Sequence, residues 1–273
     1  MPELPEVETI IRSLSPKLKG LEVTSFKLHF PDVIGNNDKK ILEKLRGKKI
    51  IGLRRRGKWI LIDFDHDLSL LCHLKMTGQF HFCPSKNPID KHTHFVLSFK
   101  DKKEELRFRD VRKFGSISCH STSEVLNFPQ LGPEPLELSF SRFRRLFQGR
   151  RGRLKCLLLN QNFLAGIGNI YADEILFEAK LHPLTPVFLL GEEELRILWK
   201  AMRFVLRKAL KSRGTSIRDF KDAEGQEGDF QHHLRVYGKE SVPCSRCGKR
   251  IERLRLSGRS SFFCPRCQKE KKC

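Results

Sequence analysis

No apolar stretch in this sequence approaches a membrane span: runs such as Val187 to Leu190 and Ile60 to Ile62 fall far short of the roughly 18 residues a spanning helix needs. A helical integral membrane protein is excluded. The first eight residues hold three acids, Glu3, Glu6 and Glu8, and no base, the reverse of the positive start that a secretion signal needs, so no export signal is expected. No internal repeat is visible, which excludes a repeat architecture.

Acid is scarce. Lys and Arg number 53 against 32 for Asp and Glu, leaving +21 on 273 residues, with charged residues at 31%. About 25% charged is usual, and a cationic excess on this scale points to a polyanionic partner. The length suits about two domains, or three if one is small and held by a metal. A disulfide framework is also missing. Of nine cysteines, Cys72, Cys83, Cys119, Cys156 and Cys273 are scattered, and an odd total without a secretion signal reads as reduced thiols. The expected compartment is the cytoplasm, at the nucleoid if the polyanion is DNA.

The chain opens with a helix. After Pro5, the residues Val7, Ile10, Ile11, Leu14 and Leu18 share one helical face, and Gly20 closes the run. From Leu21 to His120 short strand-like runs follow (Val23 to Phe30, Lys49 to Leu53, Trp59 to Phe64, Ser69 to Leu74, Phe95 to Phe99, Leu106 to Phe108), spaced too closely for crossover helices. The sheets should therefore be mostly antiparallel. The Pro- and Gly-rich stretch Phe128 to Pro135 marks a domain boundary. Helical pattern resumes beyond it, most clearly from Glu192 to Arg213, where Leu195, Leu198, Trp199, Met202, Val205, Leu206 and Ala209 make one stripe before Gly214. The polar residues 214 to 238 read as a mobile loop.

The remaining four cysteines form two pairs, Cys244-x2-Cys247 and Cys264-x2-Cys267, separated by sixteen residues. This is the spacing of a four-thiolate zinc site, with a β-hairpin suited to the interval. Four protein ligands leave no open position, so the zinc should be structural and should stabilise a segment too short for its own core. Arg250, Arg253, Arg255 and Arg259 decorate that hairpin. At the other end of the chain, removal of Met1 would make Pro2 the terminus. A terminal proline is a secondary amine with a pKa near the α-amino value of about 8, hence a nucleophile at neutral pH, and Glu3 and Glu6 lie beside it as proton donors or acceptors. The same residues also describe an ordinary helix start, with Pro5 in the first turn and acids favourable to the dipole.

Met-Pro-Glu-Leu-Pro-Glu-Val-Glu-Thr (1 to 9) and the tail cysteines resemble bacterial formamidopyrimidine-DNA glycosylase, and further segments agree in order: Arg56-Gly-Lys58, His73-Leu-Lys-Met76-Thr-Gly78, Arg109-Asp-Val-Arg112-Lys-Phe114-Gly, Leu131-Gly-Pro-Glu-Pro135 and Gly166-Ile-Gly-Asn169-Ile-Tyr-Ala-Asp-Glu174. The resemblance runs from residue 2 to Cys267 and implies a multidomain α+β protein. Its parts would be an N-terminal antiparallel β-sandwich with flanking helices (1–130), a helix-two-turn-helix DNA-binding domain (136–228) and a C-terminal zinc-ribbon hairpin (238–273), with double-stranded DNA in the cleft between them. It implies base-excision repair of oxidised purines by a monomer. Pro2 would attack C1′ of the damaged nucleoside, displace the base and form a Schiff base with the opened sugar. Glu3 would donate a proton, Lys58 would serve β-elimination and Arg259 δ-elimination, leaving a one-nucleoside gap.

By the same resemblance, Met76, Arg112 and Phe114 would fill the hole left by an extruded base. Asn169, read as the N-cap of a helix from Ile170 to Ala179, and Arg150, in the acid-free basic run Arg142 to Lys155, would meet phosphate, and His73 and His92 would lie near DNA. Without the family, a lone Met or Phe is more often core. Departures from the usual family pattern are Lys75 in place of glycine, Val111 in place of proline and Arg218 in place of lysine. Two alternatives remain at this stage: an endonuclease VIII-like glycosylase for oxidised pyrimidines, and a noncatalytic zinc-ribbon nucleic-acid binder.

Overall fold

The computed structural model describes residues 1–34, 44–125, 130–217 and 220–271. Arg218, Cys273 and the residues Phe128 and Pro129 of the expected boundary lie outside the described residues. Among the described residues no helix is long and apolar enough to cross a membrane. The chain divides into two compact units, one made of Met1–Gln130 with Ser212–Asp229, the other of Leu131–Lys211 with Phe230–Cys273. The cysteine hairpin thus shares a unit with the helices. Residues 212–228, assigned from sequence to the helical domain, pack with the first unit.

In the first unit, α1 (Leu4–Leu18) buries Val7, Ile10, Ile11, Leu14 and Leu18, the stripe read from the sequence. Two antiparallel four-stranded sheets follow. One has the order β1 (Val23–Leu28), β6 (Thr93–Phe99), β7 (Glu104–Asp110), β5 (Gly78–Pro84); the other has β2 (Ile50–Arg56), β3 (Trp59–Phe64), β4 (Leu68–His73), β8 (Ser116–His120). Phe80, Phe95 and Phe108 from the first sheet and Ile60, Ile62, Leu70 and Cys72 from the second share one core with α1, so the sheets form a β-sandwich. Two of these strands, β5 and β8, were not legible in the sequence. β5 starts on a glycine and ends on a proline, and β8 is five residues of serine, histidine and small apolar groups. Gly78 is required there, because a Cβ would lie 2.6 Å from the Leu74 carbonyl oxygen.

The second unit contains α3 (Phe140–Phe147), α4 (Leu154–Leu159), α5 (Asn169–Ala179) and α6 (Glu192–Lys211), while a single turn, α2 (Thr122–Val125), belongs to the first. α6 buries Leu195, Leu198, Met202, Val205, Leu206 and Ala209 as its periodicity predicts. The hairpin of β9 (Glu252–Leu256) and β10 (Arg259–Phe263) turns through Ser257 and Gly258, both at positive φ (48° and 75°). That is the tight turn whose twist matches paired strands.

Candidate active site

The start of α1 is set by carboxylates. Glu6 turns back to accept a hydrogen bond from the Glu3 backbone N–H at 2.8 Å, and its other oxygen accepts from the Thr215 N–H at 2.7 Å. One buried side chain therefore ties the helix start to the returning segment, 209 residues away in sequence. The fit is close, since a Cβ on Gly214 would lie 2.7 Å from the same Glu6 oxygen. Pro2 and Glu3 are buried, whereas Met1 is exposed. Lys58 and Gly57 form the β2–β3 turn, in which Arg56 pairs with Trp59. Arg55 binds Glu8 of α1 at 3.0 Å and so holds the turn beside the helix, while Arg54 binds Asp63 of the neighbouring strand β3 at 2.7 Å. Lys58 is also buried.

His73 ends β4, with its ring edge-on to Trp59, and its Nδ1 accepts from the Lys75 N–H at 3.0 Å. Burial first, then the charges of Lys75 and Lys58, hold its imidazole down at about 3, so it is neutral near pH 7. Lys75 itself sits at φ 51°, the left-handed region that glycine occupies most freely. The backbone there keeps the conformation that suits the family's glycine, and Lys75 adopts it at some steric cost. His92 is half-buried, and its N–H donates to Asp90 at 2.6 Å.

Met76, Arg112 and Phe114 lie on two loops that one side chain holds together. Asp110, fully buried, accepts from the Thr77 hydroxyl and from the backbone N–H groups of Arg112 (3.2 Å), Phe114 (2.8 Å) and Gly115 (2.6 Å). Thr77 accepts from the Arg112 N–H as well, at 3.1 Å. Gly115 must be glycine, since a Cβ would stand 2.7 Å from the Phe108 ring. On this support Met76 is 42% and Phe114 53% exposed, with the Arg112 guanidinium 4.8 Å from the centre of the Phe114 ring. These side chains are not core. Asp110 and Thr77 escaped the sequence reading although both lie inside quoted motifs; an acid two residues before an arginine carries no local mark of which N–H groups it will meet.

In the second unit, Arg150 is exposed after Gly149, which has φ 68°. Lys155 does not belong to the exposed basic run. It is buried, pairs with Asp173 at 2.7 Å and donates to the Ser260 carbonyl at 3.0 Å. Burial raises the Asp173 carboxyl, opposed by Lys155 and by donors from Ser261 and Phe262. The N-cap reading of Asn169 is corrected: Gly168 is the cap, and Asn169 is the first helical residue, its amide nitrogen donating to Ser260 O at 2.9 Å. The strand that begins with Arg259 is therefore pinned, one residue later, by Asn169 and Lys155 together. Arg259 itself is exposed. Glu174, unremarked from sequence, accepts the N–H groups of Arg235, Val236 and Tyr237 at 2.9 to 3.0 Å and shapes the approach to the hairpin.

The sulfurs of Cys244, Cys247, Cys264 and Cys267 lie within 4.8 Å of one another, with Cys244 to Cys267 at 4.0 Å and Cys247 to Cys264 at 3.5 Å. A tetrahedron with metal–sulfur bonds of about 2.3 Å has edges of about 3.8 Å, so the cluster has the dimensions to coordinate a metal ion.

Comparison with known proteins agrees along the chain. The N-terminal domain of formamidopyrimidine-DNA glycosylase matches residues 1–117, its H2TH domain 131–221, and a zinc finger found in FPG and IleRS 243–269. The formamidopyrimidine-DNA glycosylase of Desulforamulus reducens is 46% identical, covering 99% of this chain and 100% of its own, and that of Carboxydothermus hydrogenoformans is 44% identical over 93% and 95%. Among solved structures, a Lactococcus lactis FPG variant with DNA containing Fapy-dG superposes with a TM-score of 0.93 at 36% identity, covering 98% of this chain and 100% of that one. The wild-type Lactococcus lactis protein with DNA containing an oxidised pyrimidine gives 0.92 at the same identity and coverage. With all three domain models matched in order and relatives aligned over nearly their whole length, the chain belongs to the formamidopyrimidine-DNA glycosylase family, whose members are DNA glycosylases and abasic-site lyases.

Proposed function

We propose that the buried start of α1 is the reacting end of the molecule. The protein removes oxidised purines from duplex DNA and then cleaves the abasic site. Once Met1 is removed, the Pro2 nitrogen has a free lone pair; it attacks C1′, the bond to the base breaks, and an iminium links Pro2 to the opened sugar. Glu3 supplies the proton that this step needs. Lys58, on a turn braced by the Arg55–Glu8 pair, serves β-elimination, and Arg259, at the start of a strand braced through Ser260, serves δ-elimination.

Met76, Arg112 and Phe114 replace the stacking and pairing of the extruded nucleotide. Arg150 and Asn169 meet phosphate, with His73 and His92 near the duplex. The side-chain amide of Asn169 carries two N–H donors, one of which is engaged by the Ser260 carbonyl. The four cysteines hold one structural zinc ion, which fixes the hairpin and takes no part in bond breaking. The protein acts as a monomer in the cytoplasm, a reducing compartment that suits the free thiols of the cysteines among the described residues.

The observation that carries the reading is Pro2–Glu3 buried at a helix start that Glu6 and Thr215 hold in place. The reciprocal Glu3–Glu6 bonds would cap any helix, but a proline buried ahead of them as the terminal secondary amine is what a noncatalytic binder has no use for. The full-length match to formamidopyrimidine-DNA glycosylases favours purine lesions over the endonuclease VIII alternative. Borohydride trapping on a duplex with a single 8-oxoguanine is the test: a covalent adduct at the N-terminal peptide is expected, and an adduct at any lysine instead would remove Pro2 from the role.

A further inference from the structure

α6 has a second surface that its fold does not explain. Its buried stripe packs on the helical core, yet the opposite face carries Ile197 and, two turns on, Phe204, which is 55% exposed. Around Phe204 the residues Trp199, Lys200, Arg203, Arg207, Lys208 and Lys211 enclose a groove of about 600 Å³ with no carboxylate in its lining. Lys208 and Lys211 in the last turn are what a helix C-terminus favours. That preference accounts neither for Lys200 and Arg207 nor for a bare phenylalanine among them. Arg203 is committed inward, donating to the carbonyls of Leu136 and Leu138 and lying 5.0 Å from the Trp199 ring centre. It forms a fixed wall, while the other four cations remain exposed.

We infer that this face of α6 docks an acidic peptide segment of another protein, with Phe204 and the Trp199 edge receiving a large apolar side chain and Lys200, Arg207, Lys208 and Lys211 pairing with flanking carboxylates. The layout is an apolar centre inside a charged rim, the anatomy of a protein interface hot spot. Intact duplex DNA would meet the cations through its phosphates but keeps its base rings in the stack, so it offers the exposed Phe204 ring no pocket unless a step is opened. The net positive charge of the whole chain adds long-range attraction for an acidic partner.

The test uses the full-length protein and a fluorescein-labelled peptide of consecutive aspartates ending in phenylalanine, read by anisotropy across a salt titration. Binding that weakens with salt is expected. Phe204→Ala should reduce affinity about tenfold or more, as loss of a central anchor does, Phe204→Leu should retain most of it, and Lys208→Glu should abolish it. All three variants should keep wild-type excision of 8-oxoguanine and wild-type duplex affinity. Equal affinity for a peptide ending in alanine would overturn the inference by showing charge attraction alone. Weakened duplex or single-stranded DNA binding by Phe204→Ala would identify a nucleic-acid face, and self-association in sedimentation that Phe204→Ala removes would identify a second copy of this chain; either result overturns it as well.

Discussion

Replacing Asp110 should uncouple the wedge from the rest of the sandwich. Its carboxylate accepts one hydroxyl and three backbone N–H groups in a fully buried position. Hydrogen bonds to a charged group contribute about 1.5–3 kcal/mol each, and they are not additive within one network. Asp110→Asn keeps an oxygen for Phe114 and Gly115 but turns an NH2 toward the Arg112 N–H. The expected cost is roughly 1.5–3 kcal/mol, against about 3–5 for Asp110→Ala, which takes the acceptor from the Phe114 and Gly115 N–H groups. The asparagine variant should remain folded, with a melting temperature lower by about 2–4 °C per kcal/mol. The wedge offsets part of an unstacking cost of a few kcal/mol, so its misplacement should slow single-turnover excision from a fully paired duplex by roughly tenfold to a hundredfold. A lesion opposite a destabilising mismatch should suffer less. The decisive assay is a double-mutant cycle with Phe114→Ala on excision rate. Both changes act through one element, so their effects should overlap strongly. Additive effects, or wild-type excision by a destabilised Asp110→Asn, would refute the idea that Asp110 positions the wedge.

Pro2→Gly should lose most base excision while still binding lesion DNA, and Glu3→Gln should keep affinity but slow single-turnover excision; an unchanged rate for the latter removes Glu3 from proton transfer. His73 stays near 3 when folded, against about 6.5 unfolded, so between those values only the unfolded chain gains the proton and stability falls as pH drops through that window. In His73→Asn, chemical denaturation from pH 4 to 6 should show a pH slope smaller by up to about 1.4 kcal/mol per unit, and an unaltered slope would mean the histidine is not buried neutral. Cys247→Ser should release zinc, measured by metal analysis, and weaken binding to damaged and undamaged duplex alike, because Arg259 loses its rigid support; metal-free protein with full affinity would contradict this. Arg150→Ala should lower duplex affinity and reduce the salt slope by roughly one, whereas Phe114→Ala should leave both nearly intact, as equilibrium titrations at several salt concentrations will show.

The sequence by itself determined the features whose signal is local. The stripes of α1 and α6 need only neighbours three and four residues apart, and both appear as buried faces. The four cysteines carry their geometry in their spacing, and Pro2–Glu3 carries its chemistry in its order. Tertiary structure decided whatever depends on a distant partner. Lys155 looked like one more base in a cationic run until Asp173 and Ser260 were brought against it. Asn169 looked like a helix cap, yet Gly168 takes that place and the asparagine turns to the hairpin. β5 and β8 have little strand character of their own and become strands by pairing with β7 and β4. Glu6 meets Thr215 across 209 residues, and Asp110 gathers two loops whose sequences name no common acceptor. A buried carboxylate is stable only where enough N–H and O–H donors converge on it. That convergence belongs to the folded chain, and no stretch of sequence around the carboxylate can display it.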